Sequence, residues 1–310
     1  KSWLLSRCTA LVQPSRNESY SRSMMEAWLR DKPVIVHAGC LATALPVEKV
    51  RGGWVASTIE EWAAAFEAAE KADETQLRER GARGRRYADE HADWEKAIDR
   101  YEKALQLRRT PRLRPNRGHT SPAVHQLLPN LSYGDAISNQ AVFVCELLRE
   151  LGYESKIFVR HFDERMRTFA TIWDPSAIGP RDGLVYHHSI GTDLTPHAVR
   201  HRGPKGLVYH NITPAHFFEP WDQGFASLLA RGRQDLGKLA AGFPVSVGDS
   251  EFNAAELRDA GFASPGVLPI IVEPSRWNQR PDPGWMRDLQ DGRTNLLFVG
   301  RVAPNKCQHH

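Results

Sequence analysis

Short apolar segments, each followed by a polar loop and a periodic helix, recur along this chain and limit the folds open to it. Segments of this kind begin at Cys8, Gly52, Leu127, Lys156, Gly183, Gly206, Pro244, Val267 and Asn295. Strands that form continuous apolar runs are usually buried on both faces, as they are in parallel sheets covered by helices. The pattern therefore predicts an α/β protein with parallel sheets.

Composition agrees with this class and excludes others. The 310 residues suffice for two domains, and 41% hydrophobic with 25% charged residues is typical of a soluble globular protein. A net charge of +4 is too small to indicate nucleic-acid binding, and we expect none. The four cysteines form no CxxC motif, and no apolar run or leader pattern predicts a membrane span or secretion. A cytoplasmic location is expected.

Residues 108–126 interrupt both helical and strand periodicity with three prolines and a glycine. We interpret this segment as a linker. Its five arginines leave open a contact with anionic lipid at the inner face of a membrane, or with an acidic partner. A solvated linker is the simpler interpretation.

Two glutamates follow the first apolar segment. Glu18 lies in the predicted loop, and Glu26 is expected about two turns into a helix that begins between Ser19 and Ser21. Carboxylates accept hydrogen bonds from hydroxyl groups, and backbone N–H groups at a helix start suit a diphosphate. These residues form half of a candidate nucleotide-sugar site. The alternative is that Glu18 is a helix-terminal charge and Glu26 a solvated helix residue.

A family resemblance favours the first interpretation. Four short stretches carry it: Pro14–Ser15, Glu18–Ser21, Met25–Ala27 and Lys32–Val34. Together they resemble the glutamate-x7-glutamate signature of the retaining glycosyltransferases of family 4, which have the two-lobed GT-B fold. The resemblance implies that Glu18 holds sugar hydroxyls, that Glu26 holds the ribose, and that Ser19, Tyr20 and Ser21 also bind the donor.

Histidines end two of the later strands. Gly183–His188 and Gly206–His210 each deliver histidine to the carboxyl end of a predicted strand, where ligands of α/β sheets bind. A hydrogen-bonded structural histidine is the alternative. By the resemblance, His210 is the catalytic histidine facing the donor sugar, although Asn211 stands where many relatives have aspartate. Further candidates for the cleft or acceptor site are His187, His188, Gly134 and Asp135.

The end of the chain resembles the opening of a donor lobe. Asn295–Val299 reads as a strand, and Arg301 is followed five residues later by Lys306. In the family, an arginine and a lysine at this spacing bind the diphosphate, where arginine grips phosphate oxygens bidentately and lysine acts as a point charge. A basic loop without a ligand is the alternative.

The resemblance also predicts the domain order. It makes residues 1–107 the end of a donor lobe, 108–126 the linker, 127–273 a near-complete acceptor lobe with a Rossmann-like sheet, 274–294 a crossover, and 295–310 the start of a second donor lobe. A circular permutation and a piece of two tandem transferases both give this order. The tandem is simpler, and it predicts that Glu18 and Glu26 belong to a different active site from His210, Arg301 and Lys306.

The implied activity is metal-independent transfer of a sugar, with retention, from a nucleoside-diphosphate sugar to a hydroxyl of a glycan or lipid-linked glycan. No cofactor is expected beyond this substrate, and the rest of the same polypeptide is the expected protein partner. Two alternatives remain: a GT-B epimerase acting on nucleotide sugars, and a non-catalytic carbohydrate-binding or scaffolding module. A glycosidase would need carboxylates flanking one bond, which suits Glu18 and Glu26 on one lobe poorly.

Overall fold

The computed structural model describes residues 2–91, 123–270, 282–289 and 292–307. The chain divides into two compact units, one comprising residues 1–98 with 271–310 and the other residues 99–270. Each unit is built on a parallel sheet covered by helices, so the predicted Rossmann-like α/β class is confirmed.

The first unit contains four short parallel strands. Its elements are α1 (Ser2–Arg7), β1 (Ala10–Gln13), α2 (Arg22–Trp28), β2 (Val34–His37), α3 (Leu41–Val50), β3 (Gly53–Ala56), α4 (Ile59–Lys71), α5 (Glu74–His91), α10 (Pro283–Asp288) and β11 (Leu296–Leu297). The strand order is β11-β1-β2-β3, in which Ala10 pairs with Leu296 and Leu11 with Val34. The last described strand of the chain thus lies beside the first.

Alternate residues of these strands are buried on opposite faces of the sheet. Leu11 and Val34 pack with the α2 residue Trp28, whereas Ile35 packs with Ala65 and Ala69 of α4. Burial on both faces explains why the strands read as continuous apolar runs. Thr58 caps α4 in a reciprocal capping box with Glu61.

The second unit contains seven parallel strands. Its elements are β4 (Val124–Leu131), α6 (Ala136–Glu150), β5 (Ile157–Phe162), β6 (Ala170–Ile172), β7 (Gly183–His188), α7 (Thr195–Arg200), β8 (Lys205–Tyr209), α8 (Gln223–Ala240), β9 (Val245–Gly248), α9 (Glu251–Asp259) and β10 (Gly266–Val267). The order is β10-β9-β8-β7-β4-β5-β6, so the winding direction reverses between β4 and β7. Open α/β sheets bind ligands at the carboxyl ends of such strands.

One predicted boundary differs from the structure. β4 begins at Val124, inside the predicted linker, and residues 108–122 lie outside the described part of the chain. Asp135 caps α6, Asp222 caps α8 and Ser250 caps α9. Among the described residues, no helix is long and apolar enough to cross a membrane.

The predicted crossover and the ends of two predicted segments fall largely outside the description. Residues 274–281 and 290–291 of the crossover are not described, nor are residues 92–107 of the predicted first donor lobe and 271–273 of the predicted acceptor lobe. Residues 295–310 were predicted to open a second donor lobe, and their described part lies in the first unit. β11 pairs with β1, and residues 1–98 and 271–310 form one unit.

Candidate functional site

The carboxyl ends of β1 and β2 bring polar side chains to one edge of the first unit. Gln13 is the last residue of β1, and His37 is the last residue of β2. The two strands are parallel neighbours, so the loops that follow them leave the sheet at the same edge. Arg16 and Glu18 lie in the loop that follows β1.

Lys306 contacts Glu18 at this edge. The ammonium group of Lys306 forms an ion pair with Glu18 Oε1, and Gln13 Nε2 donates to the same oxygen at 2.6 Å. The Lys306 and Glu18 side chains are only 14% and 11% exposed, so solvent screens their attraction less than it would at an open surface. The structure therefore joins two residues that the tandem interpretation assigned to different active sites.

The segment before Lys306 is anchored to the loop after β1. A 3₁₀ turn at Pro304–Lys306 places the carbonyl of Asn305 against that loop. Ser15 Oγ donates to this carbonyl at 3.0 Å, and the Arg16 N–H donates to it at 3.2 Å. These bonds join residues almost 290 positions apart, and they hold Lys306 beside Glu18.

His37 is approached by two hydrogen-bond donors. The Gly39 N–H donates to Nδ1 at 2.8 Å, and Arg16 Nε lies 3.2 Å from Nε2. A neutral imidazole accepts at one nitrogen and donates at the other, so it satisfies only one of these donors. The shorter backbone bond places the proton on Nε2. The exposed Arg16 guanidinium is then better satisfied by an anion than by His37.

The other residues predicted for the donor site have varied surroundings. Ser21 caps α2 by accepting from the Met24 N–H at 3.3 Å. Glu26 follows just over one turn into that helix rather than two, is 1% exposed, and lies 3.9 Å from Arg22 Nη2. Ser19 and Tyr20 are half-buried in the loop. Arg301 is exposed after β11.

A buried row of polar side chains crosses four neighbouring strands of the second unit, β4, β7, β8 and β9, or the residues that follow them. His187 Nε2 lies 2.9 Å from Gln126 Oε1, and His187 Nδ1 lies 2.8 Å from His210 Nε2. His210 Nδ1 in turn lies 3.0 Å from Asp249 Oδ2. The two imidazole rings are stacked, with 5° between their planes. All four side chains are buried.

The geometry determines where most of the protons lie. An amide oxygen only accepts, so His187 Nε2 donates to Gln126 and His187 Nδ1 accepts from His210 Nε2. One further proton must then lie between His210 Nδ1 and Asp249 Oδ2, because two acceptors cannot bond to each other. The pair is either an imidazolium with a carboxylate or an imidazole with a carboxylic acid.

Burial favours the uncharged arrangement. It raises the pKa of Asp249, against the opposing effect of His210. Burial, followed by the charge of His210, lowers the pKa of His187 well below its usual value. Asp249 Oδ1 is buried and has no hydrogen-bond partner among the described residues, which is more costly for a carboxylate than for a carboxylic acid.

His188 lies on the opposite face of the sheet from His187. Its Nε2 donates to the carbonyl of Gly232 in α8 at 2.9 Å, and its Nδ1 lies 3.4 Å from the Tyr186 hydroxyl. Burial lowers the pKa of His188 to about 4. The side chain is fully buried.

Gly134 and Asp135 form the turn into α6. Gly134 has φ +76°, a conformation that side chains disfavour, and a Cβ there would meet no atom within 4 Å. Asp135 accepts from the N–H and the hydroxyl of Ser138, both at 3.1 Å. Backbone geometry and helix capping account for both residues.

Six contributors to these clusters were not predicted from the sequence. They are Gln13, Arg16, His37, Asn305, Gln126 and Asp249. Asp249 follows β9 as His210 follows β8, so the same strand-end rule would have found it. Gln126 lies inside a strand and gives no signal of its own.

No family model, curated protein or solved structure matches this chain. Within the described ranges, no group of three or more histidine, cysteine, aspartate or glutamate side chains is arranged to hold a metal ion.

Proposed function

We propose that this chain is a glycosyltransferase that moves a sugar from a nucleoside-diphosphate sugar to a hydroxyl acceptor with retention. Its two parallel-sheet units are, in this proposal, lobes of the GT-B type. The observation that carries the proposal is the contact of Glu18 with both Lys306 and Gln13 at the carboxyl edge of the first unit. A nucleotide sugar needs a cation for its diphosphate and a hydrogen-bond acceptor for its sugar hydroxyls. Lys306 and Glu18 supply these two groups side by side.

Each residue of this cluster has a role in the proposal. Lys306 and Arg16 supply positive charge to the diphosphate, and the Glu18 carboxylate accepts hydrogen bonds from sugar hydroxyls. Without donor, Lys306 is neutralised by Glu18. When a diphosphate binds, Lys306 turns to its oxygens, and the freed Glu18 oxygen accepts a hydroxyl. Stabilising the departing diphosphate lowers the barrier to transfer electrostatically.

His210 enters this proposal under one condition. Both of its ring nitrogens are engaged, by His187 and Asp249, and its side chain is fully buried. A hydrogen bond to a sugar therefore requires Nε2 to leave His187. We propose that His210 bonds to a sugar hydroxyl by this exchange, with Asp249 holding the ring at Nδ1.

Calorimetric titration of the whole protein with uridine and guanosine diphosphate tests the donor site. We expect saturable binding of one of them, weakened about tenfold by Lys306→Gln because a charged phosphate contact is lost. Lys49→Gln, which removes an exposed lysine of α3, is the control and should bind as the unaltered chain does. Heat from neither nucleotide, or equal affinity in both variants, would overturn the site.

Product analysis with the matching nucleotide sugar tests the reaction. A transferase releases nucleoside diphosphate only when a hydroxyl acceptor is present, whereas an epimerase returns an altered nucleotide sugar without acceptor. Donor binding followed by the second result would replace the proposed reaction and keep the site.

A further inference from the structure

A second concentration of positive charge lies at the opposite edge of the sheet in the first unit. A cavity of about 500 Å³ opens where α3 ends, β3 begins and α5 passes by. Its lining residues are Val47, Glu48, Arg51, Gly53, Val55, Arg80 and Arg83. The volume lies within the range of small-molecule sites.

Positive charge in this cavity is only partly compensated. Three arginines face one glutamate, Glu48. Among the described residues, no carboxylate lies within salt-bridge distance of Arg51, Arg80 or Arg83. Arg80 Nη1 donates to the Gly53 carbonyl at 2.9 Å, and Arg83 Nε donates to the Arg51 carbonyl at 3.1 Å. Each guanidinium has five N–H donors, so most of them remain for another acceptor.

The arginines are held in place although their charges repel. The Arg80 guanidinium lies 4.3 Å from the centre of the Trp54 ring, in cation–π geometry. Partial burial, and then the charge of Arg83, lower the pKa of Arg80. Arg51 has φ +54° at the C-terminus of α3, a position that normally favours glycine. An anion placed among the three side chains would offset this repulsion.

A neighbouring cavity extends the same surface. It has a volume of about 370 Å³, shares Arg80 and Arg83 with the first, and adds Lys71 and Trp54 to the lining. We propose that the two cavities form a binding site for a phosphate-bearing ligand, with Arg80 and Arg83 as its main contacts. Guanidinium groups match phosphate oxygens bidentately, and the combined space accepts more than one phosphate or an attached organic group.

This site is distinct from the cluster around Lys306. Gly53 is the first residue of β3, whereas Gln13 and His37 are the last residues of β1 and β2. Because the strands are parallel, the beginnings and the ends of strands lie at opposite edges of the sheet. The inference does not depend on the proposed transferase activity.

Titration of the ¹⁵N-labelled full chain with inorganic pyrophosphate, followed by NMR, tests the proposal. We expect saturable shifts of the amides of residues 51–55 and 80–84, lost in the double variant Arg80→Gln, Arg83→Gln. The matched control is Arg78→Gln, Arg86→Gln, which removes the same charge from exposed positions of α5 and should keep the shifts. Lys306→Gln should also keep them, which separates this site from the donor site.

A second measurement identifies the source of the phosphate. Sedimentation with phosphatidylcholine vesicles, with and without phosphatidic acid, is compared for the same variants. Arg80- and Arg83-dependent binding only to the anionic vesicles identifies a lipid headgroup, whereas pyrophosphate shifts without vesicle binding identify a soluble ligand. Absence of both, or equal loss in the two double variants, would overturn the proposal. Far-ultraviolet circular dichroism checks that each variant is folded.

Discussion

In the proposed site, Glu18 competes with the diphosphate for Lys306. Substitutions of Glu18 and of Lys306 should therefore change the affinity for a nucleoside diphosphate in opposite directions. In the free protein the Glu18 carboxylate forms an ion pair with the Lys306 ammonium group, which we propose binds the diphosphate. Glu18→Gln removes that competitor and keeps the shape of the side chain. We expect nucleoside diphosphate to bind the Glu18→Gln variant several-fold more tightly, and the nucleotide sugar to lose affinity because a charged hydroxyl acceptor is gone.

Calorimetry with the nucleoside diphosphate and with its sugar ester measures both effects. Glu146→Gln, which removes an exposed carboxylate of α6 in the second unit, should change neither affinity. If Glu18→Gln instead weakened binding of the nucleoside diphosphate, Glu18 would not compete with the diphosphate for Lys306.

His188 makes stability depend on pH. Burial holds its pKa at about 4 in the folded chain, against 6.5 for the ordinary side chain, so the unfolded chain takes up the proton first. The stability that comes from the neutral folded side chain is full above about pH 6.5 and is lost as pH falls toward 4. A shift of this size corresponds to a loss of about 3 kcal/mol.

Urea denaturation across this pH range, for the unaltered chain and for His188→Gln, measures the loss. The glutamine amide can still donate to the Gly232 carbonyl, and we expect the variant to lose about 3 kcal/mol less on acidification. Parallel pH curves for the two proteins would show that His188 is not the group responsible. Burial also lowers the pKa of His187, so His187 makes stability fall with pH in the same direction, and it does so in both proteins.

At the scale of elements, glycine decides how closely α5 approaches α2. A Cβ on Gly84 would lie 2.2 Å from the Trp28 ring, and one on Gly81 would lie 2.0 Å from the Asp31 carbonyl oxygen. Trp28 is fully buried and donates from Nε1 to the Gly52 carbonyl at 3.0 Å, so it has no room to move aside. The helix contact therefore requires glycine.

Gly84→Ala should destabilise the protein by about 1–3 kcal/mol in spite of the better helix propensity of alanine, because the packed core must shift. Gly237→Ala is the matched control: it lies in α8, is exposed, and its Cβ would meet nothing within 4 Å. That change should stabilise by up to about 1 kcal/mol. Thermal or urea unfolding compares the two, and a gain in both would contradict the close contact.

At the scale of the whole molecule, the first unit is discontinuous and the second is continuous. Removing residues 292–310 takes away β11, the Lys306 ion pair and the Asn305 bonds, and it exposes the edge of β1. We expect the free energy of unfolding of the first unit to fall by about 2 kcal/mol or more, since Leu297 and Val299 also leave its core. The first unit should therefore unfold at a lower temperature. The second unit should unfold unchanged.

Scanning calorimetry of the truncated and complete chains tests this difference. An added peptide of residues 292–307 should restore the transition of the first unit, because it can pair with β1 and remake the contacts of Asn305 and Lys306. An identical first transition in both chains would show that β11 contributes nothing to that unit.

The position of an element in the chain is a weak guide to which other elements it packs against. β11 and its loop were read correctly as a strand followed by a basic loop, yet they were assigned to a second lobe. Strand pairing between residues 10 and 296 leaves no local signal, because both strands have the same apolar pattern as every other buried parallel strand. Only the open edge of β1 decides the pairing.

The sequence by itself determined the local features of this protein: its parallel α/β class, the caps at Thr58 and Ser250, and the histidines at strand ends. Each of these depends on neighbours within a few residues, through periodicity or capping. The tertiary structure alone decided that Lys306 meets Glu18, that Asp249 shares a proton with His210, and that Arg80 and Arg83 line a cavity. These contacts join residues that are distant in the chain, and only the packing of sheets and helices brings them within reach of a hydrogen bond or a charge.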